Sequence, residues 1–204
     1  MNKKQLLDEL VANKVLKTKT VIEAFRKVPR EDFVPSDYKK HAYVDEPLPI
    51  GSGQTISQPQ TVAAMTESLD VKEGNIVLEV GAGSGYQAAI LSEITGPNGR
   101  VITTEIIPHV YDFAKKNLSG YKNVSVVNID GSLGYDGKYD RILVAASAPR
   151  IPQPLIDCLK DGGRMIIPVG DRMMLIKKDN GKTTEKFLGY YSFVPLTGKH
   201  GHRS

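Results

Sequence analysis

Residues 76–86, Ile-Val-Leu-Glu-Val-Gly-Ala-Gly-Ser-Gly-Tyr, constrain this chain more than any other stretch. Ile76, Val77, Leu78 and Val80 make a short apolar run. It ends in three alternating glycines, Gly81, Gly83 and Gly85, and residues 86–94 then take up helical spacing. A strand running into a glycine turn and a helix opens an α/β sheet, and such sheets bind ligands beyond the carboxyl ends of their strands. Glycine is needed there because the turn demands unusual φ/ψ and a ligand must reach the backbone. The following chain keeps the rhythm. Residues 101–104, 124–129, 139–145 and 164–168 read as strands, and 108–118 and 153–160 as helices. The alternation predicts βαβ units, hence a doubly wound, mostly parallel sheet with helices on both faces. Residues 173–178 and 183–195 flank Asp179-Asn180-Gly181, which predicts antiparallel edge strands around an Asn-Gly turn.

Ahead of the glycines, Leu6, Leu7, Leu10, Val11 and Val15 give a helix over 3–16, and Val21, Ile22 and Phe25 a second over 19–27. Pro29 and Pro35 break the pattern. Residues 47–59 have loop composition. Pro59 suits the first turn of a further helix, with Ser57 near its N-cap. The 204 residues suffice for one buried core. They divide into a helical cap with a loop over 1–70 and a Rossmann-like core over 71–204, one domain in all.

The net charge is +4, with lysine and arginine scattered. No basic stripe argues for nucleic acid, so none is expected as partner. Cys158 is the single cysteine, which excludes an intramolecular disulfide and suits a reducing compartment. Asp8 and Glu9 interrupt any apolar leader, and no run approaches a membrane span. The expectation is a cytoplasmic monomer with no membrane contact. His41, His109, His200 and His202 are dispersed, so no metal is expected.

Around the glycines the chemistry sharpens. The spacing is G-x-G-x-G, and Tyr86 stands where a dinucleotide fingerprint would place Gly or Ala. Glu79, two residues before Gly81, would repel a pyrophosphate at the lip of the turn but suits a cationic ligand. S-adenosylmethionine carries an ammonium and a sulfonium. Glu105 ends the next strand about 20 residues on, where an acid accepts ribose hydroxyls, and Ile106 is placed with it. Asp130-Gly131 closes the third strand, where an acceptor would meet an adenine amine. Glu79, Gly81, Gly83, Gly85, Glu105, Ile106, Asp130 and Gly131 are thus the expected cofactor residues of a class I methyltransferase.

The segment from Pro47 to Pro59, with Gly51-Ser52-Gly53-Gln54-Thr55-Ile56-Ser57-Gln58-Pro59 at its heart, resembles the G-x-G-Q-T-I-S-x-P signature of the protein-L-isoaspartate O-methyltransferases. Phe33-Val34-Pro35, Asp130-Gly131-Ser132-Leu133-Gly134-Tyr135, Ala145-Ala146-Ser147-Ala148-Pro149 and Phe193-Val194-Pro195-Leu196 are similar to further family segments, in order, over about residues 6–198. The resemblance implies a class I S-adenosylmethionine-dependent fold with a modified C-terminal strand arrangement. It also implies methyl transfer to the free carboxylate of L-isoaspartyl and D-aspartyl residues in damaged proteins and peptides, leaving S-adenosylhomocysteine. Ser57 matches the residue the family treats as its active-site serine. Thr55, Ile56 and Ala146 are the expected substrate neighbours. The chain departs from the family after Gly170, where Asp171-Arg172-Met173-Met174 replaces glycines and a glutamine. Rival readings are a methyltransferase for another acceptor and a non-catalytic nucleotide-binding module. The Asn-Pro-Pro-Tyr type motif of many amino-group methyltransferases is absent.

Overall fold

The computed structural model describes residues 1–202. Two helices, α1 (Lys3–Ala12) and α2 (Lys19–Lys27), lead into a hairpin of β1 (Leu48–Gly51) and β2 (Gln54–Ile56), then α3 (Pro59–Leu69). The core follows as β3 (Ile76–Val80), α4 (Tyr86–Thr95), β4 (Arg100–Glu105), α5 (Pro108–Asn117), β5 (Val124–Asn128), β6 (Tyr139–Val144), α6 (Gln153–Cys158), β7 (Leu159–Val169), β8 (Arg172–Asp179) and β9 (Lys182–Tyr190). Seven strands form one sheet in the order β5-β4-β3-β6-β7-β8-β9. The first five are parallel; β8 and β9 are antiparallel additions at one edge. Strand order reverses between β3 and β6. The loops leaving those two strands therefore diverge and open a crevice at their carboxyl ends.

Alternation along the strands assigns the faces. Val77, Leu143 and Ile166 join a cluster with the buried sides of α1 to α5, while Leu78, Val80, Ile142, Val144 and Met165 join a second one with Leu155 of α6 and Leu196. Helices cover both faces unevenly: the second has α6 and the segment around Leu196 where the first has five helices. Leu6, Leu10 and Phe25 lie in the same cluster as Val77, so the N-terminal helices are packed into the sheet's own core. Among the described residues no helix is long and apolar enough to cross a membrane.

Three stretches differ from expectation for identifiable reasons. Residues 47–59 contain β1 and β2, because Ser52 (φ 53°) and Gly53 (φ 71°) both adopt the left-handed conformation of a two-residue hairpin turn. Pro49 is tolerated because a two-stranded ribbon is all edge. Ser57 is not the cap of α3: Gln58 holds that position, and neither it nor any other local side chain caps the helix. The last expected strand, 183–195, stops at Tyr190. The chain then turns back across the sheet, where Ser147 N–H donates to Val194 O (2.8 Å) and Leu196 N–H to Ser147 O (2.7 Å).

Candidate active site

Gly81 (φ 93°) and Gly83 (φ 56°) turn the chain between β3 and α4 in conformations that disfavour any side chain. The turn is tied to β4: the N–H groups of Gly81 and Ala82 both donate to Thr104 O (2.9 Å each), and Gly83 N–H to Glu105 Oε2 (3.0 Å). The other Glu105 oxygen accepts from Ile107 N–H (3.0 Å). One acid thus braces the turn after β3 and the start of α5, keeping lone pairs for a ligand. Around it opens a cleft of about 880 Å³, counted out to open solvent. Glu79, Gly81, Gly83, Glu105, Ile106 and Gly131 line it, as do Thr55, Ile56, Ser57 and Ala146.

Two expected residues lie elsewhere. Gly85 does not face the cleft; a Cβ there would sit 2.8 Å from Leu118 Cγ, so its glycine lets α4 start against α5. Asp130 is also turned away. Its oxygens accept from Ser132 N–H (2.9 Å) and Lys199 N–H (2.7 Å), anchoring the returning C-terminal segment. Ile129, beside it, lines the cleft instead.

Glu79 is placed differently from a lip residue. β3 is covered on both faces, so the side chain is completely buried. Thr103 Oγ1 donates to Oε2 (2.5 Å), whereas Oε1 has no partner among the described residues. Burial pushes its pKa up to about 8; nearby Glu105 pushes the same way and the Thr103 hydroxyl opposes. An orphaned buried carboxylate oxygen at a cleft wall is a position waiting for a cation or a donor.

Sequence reasoning missed the cleft's far wall and its supports. Val194, Pro195, Leu196 and Thr197 line it, carried there by the bridge to Ser147. The departure after Gly170 falls outside the cleft; Gly170 N–H donates to Ala148 O (3.0 Å) and the next residues form β8. Arg30 is fully buried, with Nε donating to Ala42 O (2.8 Å) and its guanidinium 5.1 Å from the Tyr86 ring centroid. Burial lowers its pKa to about 10, which leaves it charged. It fastens the N-terminal cap to the first residue of α4. Asp45 substitutes for the missing cap of α3: Oδ1 accepts from Gln60 N–H (2.8 Å) and Oδ2 from Gln58 Nε2 (3.1 Å). That holds the turn carrying Ser57. Over the glycine loop lies the β1–β2 hairpin, its Ser52 hydroxyl touching His109 of α5.

A second cleft, bounded by Tyr190, Tyr191 and Phe193, meets the first at Thr55, Ser57, Ala145 and Val194. A small ligand held beside Glu79 and Glu105 and an extended chain lying along the end of β9 would therefore meet at Ser57.

A family model described as protein-L-isoaspartate(D-aspartate) O-methyltransferase matches residues 1–201. The chain is 50% identical over 209 residues to a Methanopyrus kandleri protein-L-isoaspartate O-methyltransferase, covering 98% of this chain and 92% of the relative. It is 50% identical over 210 residues to protein-L-isoaspartate O-methyltransferase 2 of Archaeoglobus fulgidus, covering 99% and 96%. A solved Plasmodium falciparum structure, described as a protein-L-isoaspartate O-methyltransferase in complex with S-adenosyl-L-homocysteine, superimposes with a TM-score of 0.86 at 26% identity, covering 97% of this chain and 99% of that one. With the glycine cradle, the buried acid and Ser57 in the places described, this chain belongs to the protein-L-isoaspartate (D-aspartate) O-methyltransferase family.

Proposed function

We propose that the chain transfers a methyl group from S-adenosylmethionine to the free carboxylate of L-isoaspartyl and D-aspartyl residues in damaged proteins, which initiates their repair. The observation that carries the reading is the position of Ser57 where the two clefts meet. The residues present fit the cofactor. The partnerless Glu79 Oε1 suits an ammonium, the two braced oxygens of Glu105 suit paired ribose hydroxyls, and Ile106 and Ile129 give apolar walls for a base.

When bound, S-adenosylmethionine supplies an electrophilic methyl group on a sulfonium. The acceptor carboxylate is ionised at neutral pH, with a reference pKa near 4, so this chain needs no general base. Ser57 donates its hydroxyl to one carboxylate oxygen and leaves the other free to attack in line. A C–O bond forms as the C–S bond breaks, the sulfur keeps the electron pair, and no proton moves. Thr55, Ile56 and Ala146 confine the carboxylate, and the hairpin above the glycine loop excludes water from the meeting point of the charges. The groove by Tyr190 and Phe193 takes the peptide backbone, whose displaced methylene distinguishes substrate from ordinary aspartate. With a single cysteine, which suits a reducing compartment, we place the enzyme in the cytoplasm, acting on proteins.

The deciding assay supplies labelled S-adenosylmethionine with an isoaspartyl peptide and its normal aspartyl twin. Label is expected on the isoaspartyl peptide alone, and equal or absent labelling of the two refutes the reading. A second expectation concerns Asp45. Asp45→Ala should lower turnover about tenfold, the scale of one hydrogen bond to a charged group, with cofactor affinity unchanged. Asp45→Asn keeps an acceptor oxygen and should recover most of the loss. Steady-state kinetics beside calorimetric titration of S-adenosylhomocysteine checks this; a parallel fall in cofactor affinity would contradict it.

A further inference from the structure

Two Asn-Gly pairs occur, at 98–99 and 180–181, and the methyltransferase reading uses neither. Such pairs lose ammonia spontaneously. The glycine nitrogen gives up its proton and attacks the asparagine Cγ. The new N–C bond forms as the Cγ–Nδ2 bond breaks, and ammonia leaves with the proton. Water then opens the five-membered ring on either carbonyl, giving isoaspartate or aspartate.

The fold treats the two pairs differently. Gly99 is buried, its N–H donates to Gly96 O (3.1 Å), and an added Cβ would lie 2.5 Å from Thr95 Cβ and 2.8 Å from Asn75 O. The Gly99 backbone, which must swing for its nitrogen to reach Asn98 Cγ, is thus buried and packed against Thr95 and Asn75, although Asn98 itself is exposed. Asn180 and Gly181 are both exposed at the tip of the β8–β9 hairpin, and an added Cβ at Gly181 meets nothing within 4 Å. Sterically this site is open. Yet the Gly181 N–H donates to Asp161 Oδ1 of β7 (2.9 Å), while Asn180 Nδ2 donates to Asp179 Oδ1 (3.2 Å). The two reacting groups are held by different carboxylates, and a negative oxygen beside the nitrogen opposes the amide anion that must form. The hairpin turn, with φ 49° and 74°, keeps this arrangement.

We propose that Asn180 is the position at which this chain itself ages to isoaspartate, and that Asp161 sets the rate by holding the Gly181 N–H. Ring closure is spontaneous, so the inference is independent of the chain's own catalysis. The inserted methylene would break the two-residue turn and disturb the pairing that leads β9 to the groove at Tyr190.

The test incubates the full chain, without cofactor, at neutral pH and physiological temperature. Isoaspartate at positions 180 and 98 is then quantified by proteolysis and mass spectrometry. Position 180 is expected to age first, and Asp161→Ala to speed it about tenfold with position 98 unchanged. Earlier damage at 98 overturns the site. An unchanged rate in Asp161→Ala overturns the role of Asp161, and a slower one would make it a base rather than a restraint. Asp161→Glu keeps a carboxylate acceptor and, with Gly162 next in the chain, makes no new Asn-Gly pair, and so separates the chemistry from a loosened hairpin. It should stay nearer the wild-type rate than Asp161→Ala does, and a rate equal to that of Asp161→Ala overturns the proposal.

Discussion

Ser57→Ala is expected to lower kcat/KM on an isoaspartyl peptide by on the order of 10–100-fold, the cost of losing one hydrogen bond to a charged reacting group. Affinity for S-adenosylhomocysteine should change little. The split follows from geometry. Ser57 lies where the two clefts meet, whereas the groups that would hold the cofactor are Glu79, Glu105 and the glycine turn. Ser57 caps no helix, so the substitution removes no fold contact of that kind, and the melting temperature should stay close to that of the wild type. Ser57→Thr retains the hydroxyl and should keep part of the activity. Single-turnover kinetics paired with calorimetry gives both quantities. A mutant that binds cofactor poorly but turns over normally would refute the orienting role.

Glu79→Gln should weaken cofactor binding by at least about tenfold, since a charge-assisted partner for the ammonium is lost. The wild type should also show a proton signature. With its pKa raised to about 8 by burial, Glu79 is mostly protonated in the free protein at neutral pH. An ammonium beside it favours the ionised form, so binding at neutral pH releases a proton, and affinity climbs with pH until about 8. The sign for folding is opposite. Here the folded state binds a proton that the unfolded state, with its ordinary value of 4.5, has lost. This group therefore makes the free protein less stable as pH rises through the window between about 4.5 and 8, and Glu79→Gln should remove that part of the slope. Titrations in buffers of different ionisation enthalpy count the proton. Finding no release in the wild type, or equal release in Glu79→Gln, would sink the assignment.

Local pattern made the sheet and half of the site legible. The apolar runs at 76–80 and 101–104 and the glycine spacing depend on near neighbours in sequence, and the structure pairs β3 with β4 and brings Glu105 onto the glycine turn accordingly. Glu79 was misplaced at the lip although a signal was available: a parallel strand is covered on both faces, so no side chain within it faces solvent freely. Asp130 shows the limit of position in a motif. Its carboxylate was claimed by Ser132 and Lys199, the second 69 residues away, which no local pattern announces. Arg30 was wholly hidden. It stands beside Glu31 and Asp32 in what reads as a charged surface turn, yet it is buried against Tyr86. The hairpin over 48–56 was masked by proline and glycine, residues that a two-stranded ribbon accepts and a wide sheet does not.

The bridge that carries residues 194–197 to Ser147 has a consequence for how the enzyme comes into being. One wall of the cleft is made by residues synthesised more than a hundred positions after the glycine turn. A nascent chain can complete β3, α4 and β4, with Glu79, the glycine turn and Glu105 in place, while that wall is still missing. The cleft gains the wall only when the segment crosses the sheet, so a prematurely terminated copy would carry the glycine signature in a cleft open on one side.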